Sequence, residues 1–138
     1  MEVRQIMTSK VESIARDTPV LAIATAMRDR QIGALPVVEQ GRVIGMITDR
    51  DIVTRFLTEY PRAMDVVAEA IMSSGVLQCY EDQTIADIAA IMGDHQIRRL
   101  PVLDRNRGMA GIVSIGDIAE KASERIAGEA LGEIVEAR

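Results

Sequence analysis

The sequence predicts an α/β fold, of the α+β kind, built from two tandem β-α-β-β-α repeats. Two observations predict it. Residues 6–53 and residues 71–119 align in one register, and each copy carries one helical apolar stripe followed by two short apolar runs. A sequence that repeats itself at one spacing is typical of a duplicated structural unit. With 138 residues, 48% of them apolar, the chain has enough material for a packed core and is not expected to be disordered.

The alignment of the two copies keeps its register over most of the chain. Pro36 matches Pro101 at a shift of 65 residues, and Asp51 matches Asp117 at a shift of 66, after one residue is inserted near Asn106. The copies are short, so we expect neither to be stable alone. The predicted domains are repeat 1 over residues 1–60, repeat 2 over 61–125 and a helical tail over 126–138.

The first helix of each copy is predicted from its apolar spacing. Thr18 is predicted to cap the helix and Pro19 to be its first residue, since Pro is favoured at that position. A short strand over 11–14 should precede it, and Cys79 falls in the corresponding strand of copy two as a buried thiol. Both methionines of these apolar stripes are predicted to belong to the core. The stripes are Val20, Ile23, Ala24 and Met27 in copy one, and Ile85, Ile88, Ala89 and Met92 in copy two.

Two strands and a second helix follow in each copy. In copy one, residues 35–38 and 43–47 are predicted strands, the second apolar throughout and so buried on both faces. Thr48 should open the next helix. Pro61 should break the segment that joins the copies. The tail has a weak apolar stripe that should pack on the module or on a partner chain, formed by Ile126, Ala130, Leu131 and Ile134.

Composition and charge exclude several classes of function. The net charge of −5 and the 2% aromatic content make nucleic acid an unexpected partner. One Cys and one His (His95) cannot make an ordinary soft metal site, and no metal or catalytic motif occurs, so no enzyme is expected. No apolar run approaches the length of a membrane span, and the N-terminus lacks a signal-peptide pattern. We expect a cytoplasmic protein that does not bind membranes.

Three segments recur in order in each copy and carry a resemblance to a known family. Copy one has Asp-Thr-Pro-Val at 17–20, Ile-Gly-Ala-Leu-Pro-Val-Val-Glu at 32–39 and Gly-Met-Ile-Thr-Asp-Arg-Asp at 45–51. Copy two has their counterparts at 82–85, 97–104 and 111–117. In this order, twice, they resemble the CBS domain pair, or Bateman module. The resemblance covers about residues 6–119, which leaves no room for a catalytic domain in these 138 residues, so we expect the chain to resemble a stand-alone CBS-domain protein.

The resemblance implies a fold and a function. It implies pseudo-twofold packing of the repeats and clefts between them that hold AMP, ADP or ATP, with S-adenosylmethionine or NAD as further candidates. It also implies a regulatory, signal-transducing module that forms homodimers and signals to a protein partner, which the sequence does not identify, by conformational change. No cofactor is expected besides that regulatory ligand. The alternative is a structural or dimerisation module for protein interaction with no physiological nucleotide.

Two capping motifs are the candidate ribose-binding sites. Each has a hydroxyl residue followed three positions later by a carboxylate, which is the sequence of a helix capping box. The same carboxylate could accept hydrogen bonds from both hydroxyls of a ribose, as the resemblance suggests, and the helix start could attract phosphate. Both interpretations stay open at this stage. The residues are Thr48 and Asp51 in copy one, and Ser114 and Asp117 in copy two.

Basic and small residues near these motifs complete the candidate site. Arg50, Arg98 and Arg99 are predicted to bind phosphate. The alternative is a solvated surface arginine for Arg50, and surface salt bridges to the excess acidic residues for Arg98 and Arg99. Because copy two has Gly116 in place of Arg50, the two sites should differ in phosphate preference. His95 is expected to be an ordinary residue at a helix end. The predicted cleft-wall or adenine-contacting residues are Thr8, Lys10, Gly33, Ala34 and Ser73.

Overall fold

The chain folds as two compact units, each containing most of one repeat. The computed structural model describes residues 1–60, 62 and 64–136. The first-repeat unit is Glu12–Val76, and the second-repeat unit joins Met1–Val11 to Leu77–Arg138. The mixed helix and strand composition confirms the predicted fold class. Pro61, predicted to break the joining segment, lies outside the described residues.

The first-repeat unit is built on a three-stranded antiparallel sheet of order β1-β2-β3. A π-helical stretch, Ile52–Phe56, continues the short helix α2 into α3. The core lies under the sheet and includes Ile23, Leu35 and Ile47. The elements are α1 (Val20–Arg30), β1 (Ala34–Glu39), β2 (Arg42–Thr48), α2 (Asp49–Asp51), α3 (Leu57–Glu59), α4 (Ala68–Ile71) and β3 (Ser73–Ser74).

The second-repeat unit has the sheet order β4-β5-β6, in which β4 runs parallel and β6 antiparallel to β5. A 3-10 turn, Val3–Gln5, brings Val3 and Ile6 into its core beside Ile88 and Leu100. The remaining elements are β4 (Cys79–Tyr80), α5 (Ile85–His95), β5 (Arg99–Leu103), β6 (Met109–Ser114), α6 (Ile115–Lys121) and α7 (Glu124–Glu136).

The C-terminal helix packs on its own unit. This is the first of the two predicted alternatives, packing on the module or on a partner chain. Helix α7 lies against α5 and α6 and buries Ala127, Ala130 and Ile134. Leu131, predicted to belong to the apolar stripe, is instead 41% exposed. Met27 and Met92 are buried, so their assignment to the core is confirmed.

The predicted start of the first helix is wrong by one residue. Helix α1 begins at Val20, with Pro19 as its N-cap residue and no side-chain cap. The Thr18 hydroxyl instead accepts a hydrogen bond from the Ala15 amide at 3.0 Å, which closes a local turn. The first helical amide, that of Val20, donates to the Val66 carbonyl at 2.9 Å, and so it does not need the threonine.

The strand predicted over residues 11–14 is reduced to one bridge. Ile14 pairs with Val37 in parallel, donating its amide to Pro36 at 3.0 Å and accepting from Val38 at 2.8 Å. Residues 11–13 make no strand pairing, so this prediction is wrong except at Ile14. In copy two the corresponding strand does form, as β4.

Cys79 should be chemically inert in the folded protein. Its side chain is buried, its Sγ lies 3.6 Å from the Pro101 carbonyl oxygen, and burial raises the pKa of the thiol to about 12. The thiolate is the reactive form, so labelling of the native protein by a disulfide reagent at pH 8 should be at least about a hundredfold slower than in denaturant. Equal rates in both conditions would contradict the burial.

Candidate functional site

The first capping turn (residues 48–51) fixes a carboxylate at the end of β2. The Thr48 amide donates to Asp51 Oδ2 at 2.9 Å, and the Asp51 amide donates to Thr48 Oγ1 at 3.2 Å. This reciprocal pair is a full capping box. The Asp51 side chain is only 14% exposed, and its Oδ1 lies 3.8 Å from Arg55 Nε. The backbone therefore holds one carboxylate oxygen, while the other faces a more distant cation.

The second capping turn (residues 114–117) repeats this arrangement at the end of β6. Asp117 Oδ2 accepts from the Ser114 amide at 2.9 Å and from the Ser114 hydroxyl at 3.0 Å. The Asp117 amide donates back to Ser114 Oγ at 3.1 Å. The Asp117 side chain is 16% exposed, and Lys121 Nζ lies 3.2 Å from its Oδ1. A full capping box is thus present in both units.

Capping leaves each carboxylate with unused capacity. A carboxylate has about four lone-pair sites. The capping box uses Oδ2, and the cations near Oδ1 sit on long side chains that are more than two-fifths exposed, Arg55 at 45% and Lys121 at 42%. Each cation also donates to backbone carbonyls, Arg55 Nη1 to Ile71 at 3.1 Å and Lys121 Nζ to Ile6 at 3.2 Å, so it has partners other than the aspartate. Each turn therefore presents a backbone-anchored acceptor that a donor on a ligand could engage.

The strands before each turn bring the predicted neighbours to it. Ala34 pairs with Thr48 across β1 and β2, and the Asp49 amide donates to the Gly33 carbonyl at 2.9 Å. In the second-repeat unit, Arg99 pairs with Ser114 and the Ile115 amide donates to the Arg98 carbonyl at 2.8 Å. The structure thus places Gly33 and Ala34 at the first capping turn, and Arg98 and Arg99 at the second.

The first residues of each copy pair with the strand that leads to the capping turn of the other copy. Ser73, from copy two, pairs with Met46 of β2 in the first-repeat unit. Thr8, from copy one, forms a bridge with Ile112 of β6, with amide–carbonyl distances of 2.9 and 3.0 Å. Lys10 lies two residues beyond this bridge, is exposed and makes no side-chain hydrogen bond or ion pair with the described residues.

The three candidate phosphate-binding arginines have no ion-pair partner among the described residues. Arg50, Arg98 and Arg99 are all exposed, and none forms an ion pair with a residue in the described part of the chain. Other arginines do pair, as Arg105 does with Asp82 at 2.6 Å, holding the pKa of that exposed carboxyl below its usual range. The alternative that these arginines serve surface salt bridges finds no contact here to support it.

Sequence reasoning missed the residues that face the two carboxylates. Arg55 and Lys121 each lie four positions after the aspartate that they approach. Residues at this spacing meet on one helix face, so the sequence did contain the signal. Asp49 was also missed as a neighbour of Gly33. A Cβ built on that glycine would lie 3.1 Å from Asp49 Oδ2.

Two further structural findings bear on function. Over residues 1–60, 62 and 64–136, no group of three or more His, Cys, Asp and Glu side chains is arranged to hold a metal ion. In that same part of the chain, none of the helices combines the length and the apolar character needed to cross a bilayer.

Comparison with known proteins identifies the family. The CBS domain model matches residues 3–58 and 67–124. CBS domain-containing protein YhcV of Bacillus subtilis is 37% identical over 133 residues, covering 96% of this chain and 94% of that protein. Hypoxic response protein 1 of Mycobacterium tuberculosis is 33% identical over 122 residues, covering 88% and 85%.

A solved structure adds a ligand-bound relative. The CBS domain pair of protein MJ0100, in complex with 5′-methylthioadenosine and S-adenosyl-L-methionine, has a TM-score of 0.76 and 26% identity to this chain. The match covers 94% of this chain and 98% of that one. The duplicated α/β unit and its two equivalent capping turns make this chain a tandem-repeat protein. This chain belongs to the CBS domain family, and it contains two copies of the domain.

Proposed function

We propose that this protein is a regulatory module that binds adenosine-containing ligands at its two capping turns. The observation that carries the proposal is the recurrence, in both units, of a largely buried carboxylate anchored by its own helix cap. Asp51 and Asp117 would each accept hydrogen bonds from the ribose hydroxyls, with Thr48 and Ser114 fixing their positions. The adenosine ligands of the MJ0100 domain pair support this choice of ligand class.

The remaining candidate residues would surround the ligand. Arg98 and Arg99 offer guanidinium groups to a phosphate, which arginine binds in a bidentate manner. Arg50, at the first capping turn, is a third exposed guanidinium group, but two carboxylates, Asp49 and Asp51, belong to the same turn. Gly33 and Ala34 leave room beside the first capping turn for a base to approach the backbone. Thr8, Lys10 and Ser73 lie on the segments that reach the turns.

We propose that the module is not itself a catalyst. A hydrolase or transferase needs a nucleophile with a base or acid beside it. Cys79 is buried with a raised pKa, and His95, at the end of α5, donates no side-chain hydrogen bond to a described residue. The module would act by binding its ligand more tightly in one conformation than in another, which a partner protein then detects.

A panel of ligands tests the proposal. The full chain is heated with AMP, ADP, ATP, NAD, S-adenosylmethionine or 5′-methylthioadenosine, with guanosine monophosphate as the control. A ligand at a hundredfold excess over its Kd should stabilise the fold by about 2.7 kcal/mol. We expect at least one adenosine ligand to raise the melting temperature and the guanosine control to leave it unchanged. If no adenosine ligand shifts it at millimolar concentration, the interaction-module alternative is favoured.

We also propose a homodimer formed by the open helix face of the first-repeat unit. Leu21 on α1, Val53 in the π-helical stretch and Leu57 on α3 are 41%, 58% and 54% exposed. Their counterparts in copy two are the small residues Ala86, Ala119 and Ser123. In copy two, helices α5 and α6 are covered by α7. Among the described residues, no helix covers the corresponding face of the first-repeat unit, so its large apolar side chains are left open.

Light scattering tests the dimer. The chain has a mass of 15.1 kDa, so the wild type should give about 30 kDa at micromolar concentration. Leu57→Glu places a charge in the proposed interface and should give a monomer. Val135→Glu on α7, where Val135 is 42% exposed, is the matched control and should leave the dimer intact. A monomeric wild type, or a dimeric L57E, would count against the proposed interface.

A further inference from the structure

We infer that the two capping turns select different adenosine ligands: the second binds a phosphate-bearing one, and the first one without phosphate. The inference rests on the proposed function and deepens it by assigning a ligand class to each turn. Its basis is a difference in charge at structurally equivalent positions, which the duplicated backbone allows to be compared residue by residue.

One backbone hydrogen bond, present in both units, fixes the equivalence. The residue after the capping hydroxyl donates its amide to a carbonyl at the start of the preceding strand, at 2.9 Å in the first-repeat unit and 2.8 Å in the second. The pair joined in this way is Asp49 and Gly33 in the first, and Ile115 and Arg98 in the second. The equivalent pair therefore carries a carboxylate in one unit, on Asp49, and a guanidinium in the other, on Arg98.

The side chain of Asp49 turns toward the space that Gly33 leaves open. The position of a Cβ on Gly33 would be 3.1 Å from Asp49 Oδ2, and Asp49 Oδ1 accepts the Arg50 amide at 2.8 Å. An anion at this place would meet the carboxylate at close range. In the second-repeat unit the equivalent residue, Ile115, is half-buried and uncharged. The second turn therefore has no carboxylate at the position of Asp49.

The balance of charged residues on the capping turns and on the residues joined to them leads to the same conclusion. The first capping turn has two acids and two bases: Asp49, Asp51, Arg50 and Arg55. The second has one acid and three bases: Asp117, Arg98, Arg99 and Lys121. Arg98 and Arg99 are exposed and unpaired within the described residues, and Arg99 sits directly across the ladder from Ser114. Only the second turn has a surplus of positive charge for a phosphate.

Calorimetry with adenosine and AMP on the full chain tests the inference. Arg98→Gly with Arg99→Ala installs the residues that copy one carries at these positions, so the backbone should tolerate the change. The double variant should lose about tenfold or more in AMP affinity and less than threefold in adenosine affinity. Arg107→Gln with Arg125→Gln removes the same charge elsewhere in the unit and should not change the ratio of the two affinities.

The reciprocal exchange tests the first capping turn. Gly33→Arg with Ala34→Arg and Asp49→Ile installs the residues of copy two, and it should create a preference for AMP over adenosine at a site that had none. If none of the adenosine-containing ligands of the melting panel, nor adenosine itself, binds the wild type, the proposed function itself fails. If both bind but R98G/R99A leaves the ratio of AMP to adenosine affinity as in the wild type, the proposed function survives and this assignment of ligands is overturned.

Discussion

Replacing Asp51 with alanine should lower the affinity of the first capping turn for its adenosine ligand at least about tenfold. The reason is that hydrogen bonds to a charged group are worth roughly 1.5–3 kcal/mol each, and the ribose hydroxyls would lose their carboxylate acceptor. The same substitution removes the acceptor of the Thr48 amide, but the loss of a helix cap costs only about 1 kcal/mol. Asp117→Ala should act in the same way at the second turn. Both variants should stay folded.

A third threonine–aspartate motif in the chain provides a matched control. Thr84 caps α5 by accepting the Asp87 amide at 3.2 Å, with the same spacing as in the two capping turns. Asp87, however, is exposed and does not complete a reciprocal capping box. Asp87→Ala should therefore leave ligand affinity unchanged, and its effect on stability gives the cost of a lost acidic residue at a helix start.

Titration calorimetry separates binding from capping. Asp51→Asn keeps the shape and one acceptor oxygen but removes the charge, so its affinity should fall between those of wild type and D51A. If D51A and D117A both bind every adenosine ligand as well as wild type does, the two aspartates serve only as helix caps. The proposed ribose contact would then be wrong, whatever the fold.

The sequence predicted the features that depend on local chemistry. The capping boxes at Thr48 and Ser114 form as predicted, because a hydroxyl and a carboxylate three positions apart satisfy each other's backbone amides without help from distant residues. The apolar stripes likewise define the buried faces of α1 and α5. Internal repetition then indicated two copies of one unit, and the paired motifs indicated the family.

Features that depend on long-range pairing could not be predicted in the same way. Thr18 has the sequence of a cap, yet its hydroxyl bonds to Ala15 because the Val66 carbonyl already accepts the first helical amide. The placement of Thr8 on β6 and Ser73 on β2 joins residues far apart in the chain. No periodicity signals such a pairing. The contact of Asp49 with the open side of Gly33 is of the same kind.

Gly111→Ala should be among the most destabilising single substitutions in the protein. A Cβ at this position would collide with the Thr8 carbonyl oxygen and lie 3.1 Å from Met7 Sδ. The carbonyl belongs to backbone that is held to Ile112 by two hydrogen bonds, so it cannot turn away as a side chain could. Overpacking of this kind costs about 1–3 kcal/mol. The corresponding Gly45→Ala meets the Ser73 carbonyl oxygen at 2.7 Å and should behave in the same way.

The denaturation midpoints of these variants show whether the segments bearing Thr8 and Ser73 are held against the sheets. A glycine-to-alanine variant in a helix is the control. Gly128 lies in α7 with no atom within 4 Å of its would-be Cβ, so Gly128→Ala should stabilise the protein by about 0.5–1 kcal/mol through helix propensity alone. G111A should shift the midpoint in the opposite direction and also weaken ligand binding at the second capping turn, because Thr8 would be displaced from β6. A G111A midpoint equal to that of wild type would mean that the segment does not lie against β6 in solution, and Thr8 would lose its place in the candidate site.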